Sequence, residues 1–197
     1  MAQAIVCGGP EDVPECARID DDAGFLFGEA GMDVDLPTIH PFSVAERERW
    51  RRSAALGRLF FARDDRGAPV GFVVFDVLDG AAYVDQLSVQ KSAMRRGIGR
   101  ALLHHAIEWA APVGNGDLWL TTYGHLPWNR PFYESEGFVV VPEPECIAGV
   151  RAHLAEERSA LPDPDQRVGM RRLRDPAMAM PRSASATARA SLSRDDT

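Results

Sequence analysis

The alternation of apolar and polar residues predicts a chain that moves between strands and helices. Short apolar runs bounded by turn-forming residues are typical of strands. The runs that fit this description lie at 4–6, 58–63, 69–77, 81–89, 117–123, 138–141 and 167–173. The second, third and fourth runs follow one another through tight turns, which predicts an antiparallel meander.

Apolar residues that recur every three or four positions predict helices between these strands. Predicted helices cover about 11–22, 43–55, 128–136 and 143–158, and another runs from Ile98 to the break at Pro112. Ser43 and Glu46 have the spacing of a capping box, which should begin the helix at 43–55. Pro127 has a favoured position at the start of the helix at 128–136. This mixture predicts the α+β (mixed α/β) class.

The end of the chain differs in composition from the rest. From Arg174 onward it consists largely of Ser, Ala, Arg and Pro, with almost no large apolar residue. Such a segment cannot bury enough surface to offset the entropy lost on ordering. At 197 residues, the chain has the length of one domain with a short extension. The sequence therefore predicts one domain over 1–173 and a disordered tail over 174–197.

The chain is acidic, with 22 Lys and Arg against 29 Asp and Glu and a net charge of −7. This balance argues against a nucleic-acid partner, because neutralising phosphates requires clustered basic residues. No stretch approaches the ~20 apolar residues of a membrane span, and the N-terminus lacks a secretory pattern. Cys7, Cys16 and Cys146 have neither disulfide nor zinc spacing. We therefore expect a cytoplasmic protein with no membrane association and no metal.

The segment with the clearest chemical signal joins the strand at 81–89 to the next helix. It reads Arg-Arg-Gly-Ile-Gly-Arg over residues 95–100. Its glycines allow a ligand close to the backbone, and the amides of a first helical turn are unpaired donors. The helix dipole adds positive potential, so the segment could bind a diphosphate. Leu102 replaces the third glycine of a dinucleotide loop, and an ordinary helix start with solvated arginines is the alternative.

A second motif, WNRPFYESEGF, occupies residues 128–138. Together with YVDQLSVQKSAMRRGIGRALL at 83–103, it resembles the GNAT superfamily of acetyl-CoA-dependent N-acetyltransferases, over about residues 4–173. The family's usual loop pattern is Q/R-x-x-G-x-G/A, and here Met94 stands in place of Gln or Arg.

The resemblance implies a twisted mixed sheet, largely antiparallel, with helices on both faces. The strands at 81–89 and 117–123 should splay apart, leaving unpaired backbone groups for the pantetheine arm of acetyl-CoA. Cofactor contacts carried over to this chain are Leu87, Ser88, Val89, Arg95, Arg96, Gly97, Ile98, Gly99, Arg100 and Asn129. The implied reaction moves an acetyl group to a primary amine by direct attack in a ternary complex. A homodimer, common for this kind of fold, is left open.

Two residues are the main catalytic candidates. Tyr133 should protonate the leaving thiolate, and its alternative is a core tyrosine. Asp85 is a candidate general base, and strand alternation would place it on the same face as Tyr83 and Leu87. The alternative for Asp85 is a strand-end carboxylate that only binds a cationic substrate or pairs with an arginine. Thr121 stands where some related enzymes carry a glutamate.

Other candidates surround the expected acceptor site. Glu29 and His125 are further candidate bases, and Glu29, Tyr123 and Trp128 are candidate substrate contacts. Since the surface is acidic, a cationic amine, either a small molecule or a peptide, is the expected acceptor. A non-catalytic acyl-CoA sensor on the same fold is the main alternative function, and a different phosphate-ligand binder is another.

Overall fold

The computed structural model describes residues 4–34 and 36–174. Within them, strands form a seven-stranded sheet in the order β1-β2-β3-β4-β5-β7-β6. The strands are β1 (Ile5–Cys7), β2 (Leu59–Arg63), β3 (Pro69–Leu78), β4 (Ala81–Val89), β5 (Leu118–Tyr123), β6 (Val139–Val141) and β7 (Arg167–Arg172). Only β4 and β5 pair in parallel in this sheet. The predicted α+β class and the largely antiparallel mixed sheet are confirmed.

Helices cover both faces of the sheet. They are α1 (Val13–Ala23), α2 (Phe25–Glu29), α3 (Pro41–Ala55), α4 (Ile98–Ala110), α5 (Arg130–Ser135) and α6 (Ala148–Ala160). Successive residues of β3 face opposite sides: Val73 packs beneath α4, while Phe72 packs against Trp50 of α3. Because both faces of the central strands are buried, these strands are continuously apolar.

Helix starts are where the structure departs most from the sequence predictions. α3 begins at Pro41 rather than at Ser43, and Nδ1 of His40 accepts a hydrogen bond from the amide of Phe42 at 3.2 Å. Proline lacks an amide hydrogen and has a helical φ, so it suits the first turn. Ser43 is buried within the helix, and the capping-box prediction is wrong.

Proline also explains the other shifted helices. α5 carries Pro131 in its first turn, so Pro127 lies outside it. The helix predicted from 143 begins only at Ala148, because Pro144 belongs to a separate 3-10 turn. The tail predicted at 174–197 falls, apart from Arg174, outside the described residues, and the domain boundary stays a prediction.

The predicted splay lies at the centre of the sheet. β4 and β5 pair only where 82–84 faces 118–120, and beyond this point the two strands separate. β5 continues to pair with β7 as far as Tyr123, while β4 continues to pair with β3 as far as Val89. A gap therefore opens between β4 and β5, and each of these strands stays paired with its other neighbour, β3 or β7.

Candidate active site

A cleft of about 690 Å³ begins at this gap. One end is lined by the first turn of α4 and by α5, and the other by residues of α1, α2 and α3. Within the described residues, the cleft therefore connects the glycine-containing loop to the region where an acceptor was expected.

The loop before α4 presents free backbone donors. Arg95 and Gly97 have left-handed φ angles of 58° and 80°, and Gly97 precedes the first helical residue, Ile98. Among the described residues, none accepts a hydrogen bond from the amides of 95–100. Free amides at a helix N-terminus form an anion site, as the sequence predicted for a diphosphate.

Replacing Gly97 with alanine should weaken acetyl-CoA binding about 10-fold, since holding alanine at φ 80° costs about 1–2 kcal/mol. Isothermal titration measures this loss. Gly57→Ala is the matched control, because Gly57 follows α3 at φ 69°, with open space around its Cβ position as at Gly97. In free Gly97→Ala the loop should relax, so the cost appears on binding. Gly57→Ala should lose thermal stability and keep the parent affinity. Equal affinities for all three proteins would contradict the role of the loop.

The three arginines of the loop have different surroundings. Arg95 and Arg100 line the cleft, whereas Arg96 is exposed and is not a lining residue. Nε of Arg100 donates to Oε1 of Glu136 at 2.5 Å, and Nε2 of His104 lies 2.7 Å from Oε2 of the same carboxylate. Arg95 and Arg100 therefore lie at the cleft and Arg96 does not line it, and the roles of all three as cofactor contacts stay predictions.

The edge of β4 provides the second set of free backbone groups. The amide of Gln90, just after β4, donates a hydrogen bond to the carbonyl of Val70 on β3. In the register of these two strands, Gln90 and Val70 are therefore a hydrogen-bonded pair. Since antiparallel pairing alternates, Ser88 also faces β3, whereas the backbone groups of Leu87 and Val89 face the gap. This is the arrangement predicted for the pantetheine arm. The backbone of Ser88 does not face the gap, and its hydroxyl donates to Oδ1 of Asp20 on α1 at 2.5 Å.

A β-bulge changes the direction of Asp85. Val74 pairs with Gln86 and Phe75 with Val84, which leaves Asp85 as the extra residue. Alternation is interrupted there, so Leu87 packs beneath α4 while Tyr83 packs beneath α6. The prediction that Leu87 shares a face with the other two is wrong.

Asp85 is a buried carboxylate with incomplete pairing. Its side chain is 3% exposed, and Oδ1 lies 3.4 Å from Nε of Arg49. Its Oδ2 is buried without a hydrogen-bond partner among the described residues. Burial raises the pKa of Asp85. Arg49 also bonds Glu156 at 3.1 Å, so it neutralises two carboxylates.

Two more carboxyl groups line this part of the cleft, and the sequence did not single them out. Asp20 accepts hydrogen bonds at Oδ1 from Gln86 at 2.6 Å and from Ser88 at 2.5 Å, and burial raises its pKa. Glu46 makes no hydrogen bond to any described residue. Its burial and the charges of Asp20 and Asp85 raise the pKa of Glu46 from 4.5 to about 8. We call Asp20, Glu46 and Asp85 the carboxyl cluster.

Glu46 had a signal in the sequence that the capping-box interpretation obscured. Ser43, Glu46, Trp50 and Ser53 lie three or four residues apart along α3, and all but Glu46 are fully buried. A charged residue on the inward face of an amphipathic helix is unusual and often functional.

Tyr133 lies on α5 and lines the cleft beside the loop of 95–100. Its ring contacts those of Phe132 and Phe138, with centroids 5.1 and 5.8 Å away. Burial raises the pKa of Tyr133 to about 12. Asn129, the residue before α5, also lines the cleft, as the sequence predicted for a cofactor contact.

The structure brings only some of the predicted acceptor residues together. Tyr123 and Trp128 line the cleft, but Glu29 and His125 do not. Glu29 is an exposed residue of α2 whose carboxylate lies 4.0 Å from Nζ of Lys91. Nε2 of His125 is 3.8 Å from a carboxylate oxygen of Asp163. Neither residue lines the cleft, and their roles as candidate bases stay predictions.

A polar network surrounds Thr121, where a glutamate was expected in related enzymes. Its Oγ1 donates to Oε1 of Glu157 at 2.7 Å and lies 2.9 Å from the hydroxyl of Tyr83. Nε of Arg167 donates to the other oxygen of Glu157 at 3.0 Å. The carboxylate of Glu157, on α6, thus lies beside Thr121, where some related enzymes carry a glutamate, although Arg167 neutralises it.

Membrane insertion and metal binding would each require particular features within residues 4–34 and 36–174. No helix there is both long enough and apolar enough to cross a bilayer. No group of three or more His, Cys, Asp or Glu side chains there is arranged to hold a metal ion.

The seven-stranded mixed sheet, with β4 and β5 parted beyond residues 82–84, is the fold of an acetyltransferase. The chain belongs to the acetyltransferase (GNAT) family, whose model matches residues 29–138. The resemblance noted in the sequence is confirmed.

Solved structures share this fold. N-acetylglutamate synthase from Neisseria gonorrhoeae, complexed with coenzyme A and N-acetyl-glutamate, has a TM-score of 0.63 at 16% identity. The match covers 89% of this chain but only 36% of the synthase. PaiA N-acetyltransferase from Thermoplasma acidophilum, in complex with coenzyme A, has a TM-score of 0.63 at 15% identity, covering 88% of this chain and 99% of its own. A GNAT-family acetyltransferase from Staphylococcus aureus Mu50 has a TM-score of 0.62 at 18% identity, covering 88% and 100%.

Proposed function

We propose that this protein transfers an acetyl group from acetyl-CoA to the primary amine of a cationic small-molecule or peptide acceptor. The observation that carries the proposal is one continuous cleft, which joins the free amides of 95–100 and the gap between β4 and β5 to the carboxyl cluster. Family membership and neighbours solved with coenzyme A support acetyl-CoA as the co-substrate.

The binding of acetyl-CoA would use mainly the backbone. The amides of 95–100 suit its pyrophosphate, because their donors are free and lie at a helix N-terminus. The outward-facing groups of Leu87 and Val89 suit the amide groups of the pantetheine arm, which would bind like an added strand. This use of the main chain explains why Met94 can stand where the family usually has Gln or Arg.

The acceptor must lose a proton, because only a neutral amine can attack the thioester carbonyl. Of the carboxyl cluster, Asp20 is held by two short hydrogen bonds and Asp85 is buried beside Arg49. Glu46 lines the cleft with no such bond, and its pKa, raised to about 8, makes its ionised form a stronger base than an ordinary carboxylate. We therefore propose that Glu46 accepts the proton of the amine, directly or through a water. Asp85 and Asp20 raise the pKa of Glu46 by their nearby charge.

The later steps need a donor for the oxyanion and one for the leaving sulfur. The amide of Leu87 faces the gap and can donate to the developing oxyanion. When the C–S bond breaks, the hydroxyl of Tyr133 can donate to the thiolate. Because burial raises the pKa of Tyr133 to about 12, full proton transfer costs more than for an ordinary phenol near 10. Tyr133 therefore acts chiefly as a hydrogen-bond donor, and the departing thiolate takes up the second proton that the attacking nitrogen loses, leaving as the free thiol of CoA.

Direct attack in a ternary complex needs no acyl-enzyme. No cysteine lines the cleft among the described residues, and Cys16 and Cys146 are buried with raised pKa values. A buried thiol with a raised pKa is a poor nucleophile, because little of it is thiolate. This supports transfer from the thioester to the amine in a single displacement.

A titration of the full chain with acetyl-CoA, followed by a free-thiol assay with a panel of amines, tests the proposal. We expect binding by calorimetry and release of CoA that depends on the amine. A protein that does not bind acetyl-CoA would contradict the proposal entirely. Binding without CoA release for every amine would instead assign an acyl-CoA sensor.

A further inference from the structure

The acceptor end of the cleft has two unlike walls. One wall is the carboxyl cluster, and the other is apolar. We call the second the apolar wall, and it consists of Leu26, Phe27, Val34, Leu36, Tyr123 and Trp128, all of which line the cleft.

Three aromatic rings form the centre of the apolar wall. The ring of Phe27 lies 5.9 Å from that of Tyr123 and 6.2 Å from that of Trp128, at interplanar angles of 60° and 77°. The hydroxyl of Tyr123 donates to the carbonyl of Pro162 at 2.8 Å, so it is not a free phenol. The ring of Tyr123 is only 1% exposed and lies under the guanidinium of Arg167, 4.6 Å from its centroid, so it supports the apolar wall from within. The half-buried rings of Phe27 and Trp128 provide the apolar contact area.

The carboxyl cluster offers one place for one positive charge. Oδ2 of Asp85 is buried without a partner on a side chain that is 3% exposed, and it belongs to a residue lining the cleft. Glu46 adjoins it without a hydrogen bond. Two nearby arginines are neutralised, Arg49 by Asp85 and Glu156 and Arg167 by Glu157. The third, Arg47, donates to the carbonyl of Thr38.

We propose that the acceptor is a primary amine with a bulky apolar or aromatic group beside the amine and no second positive charge. This inference rests on the N-acetyltransferase activity proposed above. The ammonium lies at the carboxyl cluster, and the apolar group packs against Phe27 and Trp128, whose rings Tyr123 supports. A second ammonium on the same substituent would meet the apolar wall and lose its hydration without gaining a carboxylate.

Amino-acid amides test this selectivity, because they present the same α-amine with different side chains. We expect kcat/KM for phenylalaninamide and norleucinamide to exceed that for glycinamide about 10- to 100-fold. Lysinamide matches norleucinamide in length but carries a terminal ammonium, and it should react about 10-fold more slowly than norleucinamide. Equal values across the series, or a preference for lysinamide, would overturn the inference while leaving acetyl transfer intact.

The variants Trp128→Ala and Trp128→Phe locate the selectivity. Alanine should raise KM for phenylalaninamide about 10-fold, so the preference for phenylalaninamide over glycinamide should fall by about the same factor. Phenylalanine should restore most of the preference. Phe27→Ala provides a second variant if Trp128→Ala does not fold. A preference that persists in both variants overturns the assignment, and loss of activity with glycinamide as well would indicate a structural role only. If no amide releases CoA while other amines do, this inference fails and acetyl transfer stands. If no amine releases CoA although acetyl-CoA binds, the proposed function fails and this inference fails with it.

Discussion

Replacing Glu46 with glutamine should lower kcat/KM for amine acetylation about 100-fold, since general-base catalysis typically contributes at least this much. The carboxylate of Glu46 lines the cleft, and Asp20, Asp85 and Glu157 face it with negative charge while Arg49 faces it with positive charge. Glutamine preserves the shape of the side chain but cannot accept the proton. Steady-state assays at saturating acetyl-CoA measure the loss.

The pH profile separates a base from a structural residue. The pKa of Glu46 is raised from 4.5 to about 8, so the group is largely protonated at neutral pH and ionises as pH rises through 8. The parent's kcat/KM should therefore rise over this range and then level off, and Glu46→Gln should lack that rise. An acceptor with a low amine pKa keeps its own ionisation out of the profile.

Glu48→Gln is the matched control for this prediction. Glu48 lies on the same helix, with its side chain 55% exposed and paired with Arg51, and it does not line the cleft. This variant should keep the parent rate and the parent pH profile. If Glu46→Gln retains the rise near pH 8, another group accepts the proton, and Asp85→Asn becomes the next variant to measure.

The same pKa shift predicts how stability depends on pH. Between pH 4.5 and about 8, folded Glu46 retains a proton that the unfolded chain releases, so its contribution to the free energy of unfolding falls as pH rises. Below pH 4.5 the side chain is protonated in both the folded and the unfolded chain, so Glu46 no longer makes the free energy of unfolding depend on pH. Urea titrations should show a shallower decline for Glu46→Gln than for the parent over this range. Parallel declines would show that the carboxyl is not shifted.

Replacing Tyr133 with phenylalanine should lower kcat about 100-fold and leave the Kd for acetyl-CoA unchanged. The hydroxyl is the atom that would stabilise the departing thiolate, whereas the ring contacts with Phe132 and Phe138 remain. The effect should therefore appear in the chemical step and not in binding. Calorimetry and single-turnover assays of the two proteins distinguish these quantities.

A thioester with a more acidic thiol provides the control for Tyr133. Its thiolate leaves without help, so Tyr133→Phe should slow its reaction less than that of acetyl-CoA. If the variant retains the parent kcat with acetyl-CoA, Tyr133 is only a core residue. If it loses affinity for acetyl-CoA together with rate, the helix α5 has shifted and the hydroxyl has no separate role.

Features that depend on neighbouring residues could be predicted from the sequence. The meander of β2, β3 and β4 follows from apolar runs separated by turns, and the period of α4 from Ile98 onward predicts its buried face. The loop of 95–100 shows its chemistry locally, because glycine conformation and unpaired helix amides depend on a few consecutive residues. The family resemblance added the splay of β4 from β5, which no local pattern shows.

Only the tertiary structure decided how distant elements meet. The bulge at Asp85 arises from a register shift against β3, which reverses the direction of Leu87 without leaving a trace in the sequence pattern. Glu46 reaches Asp85 and Asp20 because α3 and α1 pack on one face of the sheet, and its pKa depends on that desolvation and on those charges. Local pattern determines which face of an element is apolar, whereas the environment of a charge depends on residues far away in the chain.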